Sequence, residues 1–225
     1  MTNQFSNISC YEEFEIQSVL SGISKIDILK EIGHKVGNYY FFVSNNGIFN
    51  WFNLNGNHIE NPCVLDRLWY GVVPYDVTKC IIPDSVISIE DCAFNGYSSL
   101  EEIIIPNNVT EIGYHAFYEC KSLKSITIPD RITTIHASAF SHCDSLKEII
   151  IPNSVTKIDF MALAYNYSLK RIIISNSVTS IGYGAFWYCP SLKEVVFKGK
   201  TLEEVEQMYN YPFGIKNKNI IKCEL

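Results

Sequence analysis

The sequence predicts a mostly β solenoid, a stack of equivalent coils that each open with a short parallel strand. Three observations carry this. A triplet ending in Ile82, Ile105, Ile128, Ile151, Ile174 and Phe197 returns every 23 residues, so five units fit between residues 79 and 197. The apolar positions inside each unit keep their phase from one unit to the next. The flanking segments, residues 1–75 and 198–225, lack the pattern and are read as caps on residues 76–197. A fixed period in this range marks a solenoid, because one coil can bury its apolar side only against its neighbours.

The strand comes first in each unit. Val77, Leu100, Leu123, Leu146, Leu169 and Leu192 form one column. Three residues on stand Cys80, Ile103, Ile126, Ile149, Ile172 and Val195, followed after two more by the Ile/Phe column. This is the L-x-x-L-x-L pattern of a leucine-rich repeat, with the period of two that a strand needs at its end. Pro83, Pro106, Pro129 and Pro152 then stop the strand by removing a donor and fixing the backbone, with Ser175 as the substitute in the next unit. Val86, Val109, Ile132, Val155 and Val178, each followed three residues later by an isoleucine from Ile89 to Ile181, make a second apolar wall. The unit closes on Ala-Phe at 93/94, 116/117, 139/140 and 185/186, with Ala162-Leu163 in the fourth, which predicts a stacked ring column.

"IPNSVTKI", "IGYGAFWYCPSLKEV" and their sister units resemble the BspA-type leucine-rich repeats of bacterial surface proteins and of some protists and viruses, over about residues 77–197. The resemblance implies a non-enzymatic binding scaffold whose strand face meets a protein partner.

Cys120, Cys143 and Cys189 share one column with Tyr97 and Asn166. Zinc needs ligands that converge, whereas equivalent atoms on stacked coils lie in a file about 5 Å apart, so these are read as small buried residues. Eight cysteines scattered mostly singly in apolar positions suit a reducing compartment.

The C-terminal segment opens with Thr201 as N-cap of a helix to about Met208, with Glu203 and Glu204 near its positive end, and closes with "NIIKCEL" as a last strand. Its "PFGI" stretch is similar to tails that follow BspA-like arrays. In residues 1–75, apolar spacing from Phe14 to Ile32, broken at Gly22, predicts two short helices. "YYFFVS" and "IFNWFNL", joined through Asn-Gly, predict a hairpin. Together they form a small α+β cap or partner-binding module.

Charge limits the partners. The formal balance is −6 overall: −4 for residues 1–78, −3 for 79–197 and +1 for 198–225. No segment is basic, which opposes nucleic-acid binding, including a winged-helix reading of the first module. The N-terminus is polar and acidic and no apolar run reaches the roughly 20 residues of a membrane span, so the chain is expected in the cytoplasm, with surface or virion association by another route left open. The sequons at Asn7, Asn108 and Asn166 are then chance.

No nucleophile elbow, phosphate-binding glycine loop, zinc-protease pair or C-x-x-C occurs, and His142 beside Cys143 points to a different side of a tight coil. Neither an enzyme nor a cofactor is expected. What remains is surface. Outward strand residues make a row of Ile81, Ile104, Thr127, Ile150, Ile173 and Val196, flanked by Lys124, Lys147 and Lys170 and by Glu148 and Arg171. Stacked at strand spacing, the rows form a sheet about 24 Å across. Exposed Ile and Val suit strand propensity alone, and equally a recognition stripe for a protein partner or for self-association. A rival patch on the turn side gathers Tyr114, Tyr118, Phe160, Tyr165, Tyr183, Trp187 and Tyr188. Aromatics there either shield the convex core or stack on a glycan at a cell surface.

Overall fold

The computed structural model describes residues 34–36, 39–43, 49–53, 58–59, 67–68, 73 and 75–225. Strand β1 (His34–Val36), β2 (Tyr39–Val43), β3 (Phe49–Asn53) and β4 (His58–Ile59) pair antiparallel in that order. β2 and β3 are the strands read as a hairpin; the turn between them and the two helices expected before them lie outside the described residues. Phe41 of β2 is fully buried.

The rest is a parallel solenoid with two ribbons of strands, each interrupted once. One ribbon comes from the L-x-L segments: β6 (Lys79–Ile81), β8 (Glu102–Ile104), β11 (Glu148–Ile151), β13 (Arg171–Ile174), β15 (Glu194–Lys198) and, last, β16 (Ile221–Glu224). The other comes from the Val-x-x-Ile wall: β5 (Arg67–Leu68), β7 (Ser88–Ile89), β9 (Glu111–Ile112), β10 (Thr134–Ile135), β12 (Lys157–Ile158) and β14 (Ser180–Ile181). The first ribbon is unpaired between β8 and β11 and the second between β9 and β10. Partners in register differ by one repeat, as in Ile149↔Ile172 and Ile172↔Val195. The second ribbon reaches back to Arg67–Leu68, inside the segment read as the N-terminal module.

Three files fill the interior. Val77, Leu100, Leu123, Leu146 and Leu169 are fully buried one above another. Across from them, Ile89, Ile112, Ile135, Ile158 and Ile181 are at most 1% exposed, so the second wall is as dry as the first. The rings of Phe94, Phe117 and Phe140 stack nearly parallel at 5.2 and 5.5 Å. Each such side chain, once buried, contributes about 1.5–3 kcal/mol. No coil could gather that alone.

The turns are built by short local bonds. The carbonyls of Pro83, Pro106, Pro129 and Pro152 each accept from the amide three residues on, at 3.0–3.2 Å. Ser175 makes the same turn, and its hydroxyl donates to the Pro152 carbonyl at 2.9 Å, which explains why this unit does without proline. At the opposite corner two residues per coil adopt left-handed backbone: Cys92, His115, Ser138, Met161 and Gly184 in one column, Gly96, Glu119, His142, Tyr165 and Tyr188 in the other. These pinch the Ala-Phe segment so that the amides of Phe94, Phe117, Phe140 and Leu163 bond the Ala carbonyl of the next coil, as Phe117 does with Ala139 at 2.9 Å.

Two expectations change. Residues 125–127 hold the place of a strand without its ladder bonds, and Ile126 is only half-buried. In this coil Arg131 stands where Asn108 or Ser177 bonds back to the previous turn, but the equivalent Ser85 and Ser154 make no such bond in coils that keep their strands, so that tie does not account for the gap. The C-terminal helix, α1, is shorter than predicted, Leu202–Glu206. Thr201 is its N-cap, in a capping box with Glu204. The backbone amide and hydroxyl of Thr201 bond the Glu204 carboxylate and hold it below the usual carboxylate range.

Candidate functional site

Period two decides what the first ribbon shows to solvent. With Ile149, Ile172 and Val195 inward, the residues between them must point out. Ile81, Ile104 and Ile150 are exposed, Ile150 most at 55%, and Thr127 is exposed in the coil without a strand. Ile173 is half-buried. Val196 is fully buried, so the apolar row ends one coil earlier than the sequence suggested.

The charged rows divide the face in two. Toward the N-terminal end the charges neutralise one another across strands: Lys79 pairs with Glu102 at 3.1 Å, and Lys124 with Glu101. Farther along, Arg171 pairs with Glu194 at 2.8 Å, while Glu148 is exposed and lies opposite Arg171 in register without an ion pair. Lys147, Lys170 and Lys193 are exposed and, among the described residues, have no carboxylate partner. Three like charges at strand spacing repel one another, so this edge would gain from an acidic neighbour. At the other end of these strands a depression of about 640 Å³ opens between Ile150, Ile173, Pro152, Asn153, Asp130 and Lys198.

The aromatic patch resolves into two files with a bridge. Tyr118 meets His142 edge-on at 5.3 Å, His142 stacks on Tyr165 at 4.6 Å with planes 3° apart, and Tyr165 stacks on Tyr188 at 5.2 Å. Phe160 faces Tyr183 at 6.3 Å, and Trp187 sits between the files, 6.1 Å from Tyr183 and 5.3 Å from Tyr188. Tyr114 stands apart, against His136 at 4.6 Å. His142 was not among the residues expected in the patch. The period could have found it, since Tyr165 and Tyr188 are its repeat equivalents.

The cysteine column has a purpose that composition did not reveal. Cys120 donates to the Phe94 carbonyl at 3.1 Å, Cys143 to Phe117 at 3.3 Å and Cys189 to Leu163 at 3.3 Å. Asn166 donates to Phe140 at 2.9 Å from the same column, and the Tyr97 hydroxyl reaches the Val73 carbonyl. Whatever the residue, it supplies a donor to a buried carbonyl of the coil before it. Burial pushes Cys80 up to about 12 and Cys189 to about 11, and raises Cys143 well above the ordinary thiol range, so these are thiols at neutral pH. Among the described residues, no group of His, Cys, Asp and Glu is placed to hold a metal ion, and no helix is long and apolar enough to cross a membrane.

Residues 74–214 match the model of the BspA type leucine rich repeat region, in six copies. The chain belongs to that family. Solved structures repeat the likeness. A leucine rich cell surface protein from Faecalibacterium prausnitzii is 29% identical with a TM-score of 0.59, over 80% of this chain and 43% of that one. A leucine-rich repeat protein from Bacteroides ovatus is 27% identical with a TM-score of 0.56, over 73% and 49%. The T. pallidum Leucine Rich Repeat protein is 30% identical with a TM-score of 0.53, over 59% and 66%. The chain thus spans less than half the length of the first two. No curated protein matches it. No enzymatic family is indicated.

One expectation is overturned by these likenesses. The cytoplasmic location rested on a polar N-terminus, yet the Faecalibacterium structure with this BspA-type architecture is of a cell surface protein, and the cytoplasmic reading is withdrawn. The polarity of one terminal segment describes that segment and says nothing of where stacked coils work. Asn166 is fully buried with its amide bonded twice, so its sequon is closed to glycosylation whatever the compartment.

Proposed function

We propose that this BspA-type chain is a non-enzymatic scaffold that captures a protein partner through its strand face, and that it works at a cell surface as the Faecalibacterium protein does. The observation that carries this reading is the exposed row of Ile81, Ile104 and Ile150, continued by half-buried Ile173, beside the unpaired Lys147, Lys170 and Lys193. Exposed apolar side chains, interrupted at Thr127, next to uncompensated charge are what a partner with acidic and apolar groups recognises. Residues 1–75 and 198–225 act as end modules of the array in this reading.

The aromatic patch lends less support to a glycan site. Sugar stacking needs free ring faces, and here His142, Tyr165 and Tyr188 lie face to face, with the Lys216 ammonium over Tyr188 at 5.5 Å. These ring contacts run along the turn corner from coil to coil.

The double variant Ile150→Asp/Ile173→Asp is expected to abolish capture of a surface-derived protein partner in a pull-down, while circular dichroism stays unchanged. Capture at the original level would remove the strand face as the site.

A further inference from the structure

The last full coil is not closed as the others are. Leu100, Leu123, Leu146 and Leu169 are fully buried by the coil that follows each, whereas Leu192 is only partly buried. Cys120 and Cys143 are fully buried, but Cys189 in the same column is half-buried. The cause lies in the spacing. Earlier strands pair at one repeat, yet Val195 pairs with Ile221, 26 residues on. The extra residues precede Phe213, because the Phe186 amide reaches a carbonyl 27 residues on where Phe117 and Phe140 reach 22, so the run from Phe213 to Ile221 is two residues shorter than the matching run from Ala185 to Val195. By that register the residue due to cover Leu192 is Lys218, whose ammonium instead lies 4.9 Å over the Tyr211 ring.

Phe213 begins the cover properly. Its carbonyl accepts from Phe186 at 3.0 Å, and its ring meets Phe186 edge-on at 6.2 Å. The chain then bows away through Gly214, at φ +92°, and leaves a cavity of about 400 Å³. Phe186, Leu192, Ile215 and Ile220 wall it, and Tyr167 and Tyr188 flank it. Lys216 also lines it, with no carboxylate partner among the described residues.

We propose that this cavity binds a small aromatic carboxylic acid, its ring in the space a further coil would have filled and its carboxylate on Lys216. Volume, apolar walls and one cationic group are the usual makings of a small-molecule site. The ring gains edge contacts with Phe186 and Tyr188, whose faces are already occupied. The acid supplies the one charge the lining lacks. Cys189, in the wall, is a thiol at neutral pH because burial raises it to about 11, so binding is non-covalent. The site is at the end of the stack and does not depend on the strand-face reading.

Titration calorimetry of the full chain with 3-(indol-3-yl)propionate and with its neutral amide tests this. The acid is expected to bind with a Kd of about 1 mM or tighter, as a ligand of this size allows. Lys216→Gln should weaken the acid about fivefold, the scale of an exposed ion pair, and leave the amide unchanged. Leu192→Trp, and independently Ile220→Trp from the other wall, should abolish binding of both; the second serves if the first disturbs folding. Failure of both probes to bind overturns the proposal, leaving an imperfectly filled cap. Binding that survives both tryptophan variants, or an amide as tight as the acid, overturns it as well.

Discussion

At the scale of single residues, the donor column and the left-handed columns decide how much each coil holds. A buried carbonyl without a donor costs about 1–3 kcal/mol. Cys143→Ala is therefore expected to lose about that much in urea melts, and Cys143→Asn, copying Asn166, to recover most of it. An Asn no better than Ala would refute the donor role. The thiols also set a pH limit. Their folded pKa values lie above the ordinary 9.0, up to about 11 for Cys189 and 12 for Cys80. Between those limits the unfolded chain holds fewer protons than the folded one, so stability is complete below pH 9 and falls as pH rises, by about 1.4 kcal/mol per unit for each thiol. The left-handed sites act in the other direction. Ser138 sits at φ +55°, and its hydroxyl has no bond to lose among the described residues, so Ser138→Gly should gain about 0.5 kcal/mol after the entropy of the freer unfolded chain is counted. Gly184→Ala should lose about 1 kcal/mol, since space is present and only the backbone is strained. Equal thermal midpoints for both variants would contradict this.

At the scale of elements, period separates what could be read from what could not. Columns spaced by one repeat gave the inward files, the proline turns and the strand face, because a stack forces equivalent residues into equivalent places. The missing strand at 125–127 was illegible, since Ser-Ile-Thr has good strand propensity and the same apolar phase as the coils that do form strands. The burial of Val196 was illegible for a similar reason: its row mates are exposed, and only its position at the end of the array sets it apart. The aromatic patch was legible as a list but not as stacked rings, whose mutual contacts decide that their faces are taken. The cavity above Leu192 hid in the changed spacing of the last coil, longer before Phe213 and shorter between Phe213 and β16, which matters only once the register is known.

At the scale of the whole molecule, stability in a stack is a sum over interfaces between neighbours, so damage at one end should stay near that end. The C-terminal segment buries Phe213 and Val205 and pairs β16 with β15, covering the last coil's apolar end. Phe213→Ala removes the ring that meets Phe186, Phe197 and Tyr211, a loss of about 3–5 kcal/mol. In a two-state globule that loss would lower every amide's protection alike. Here hydrogen exchange should rise first in β15 and β16, then β13, while amides around Phe117 and Leu123 keep their rates. Removing residues 198–225 altogether goes further, leaving β15 as an open edge and Phe186 without its cover, and should drive aggregation in size-exclusion runs. A truncated chain that stays soluble and monomeric would refute the capping role of the segment, and uniform loss of protection in Phe213→Ala would refute nearest-neighbour stability.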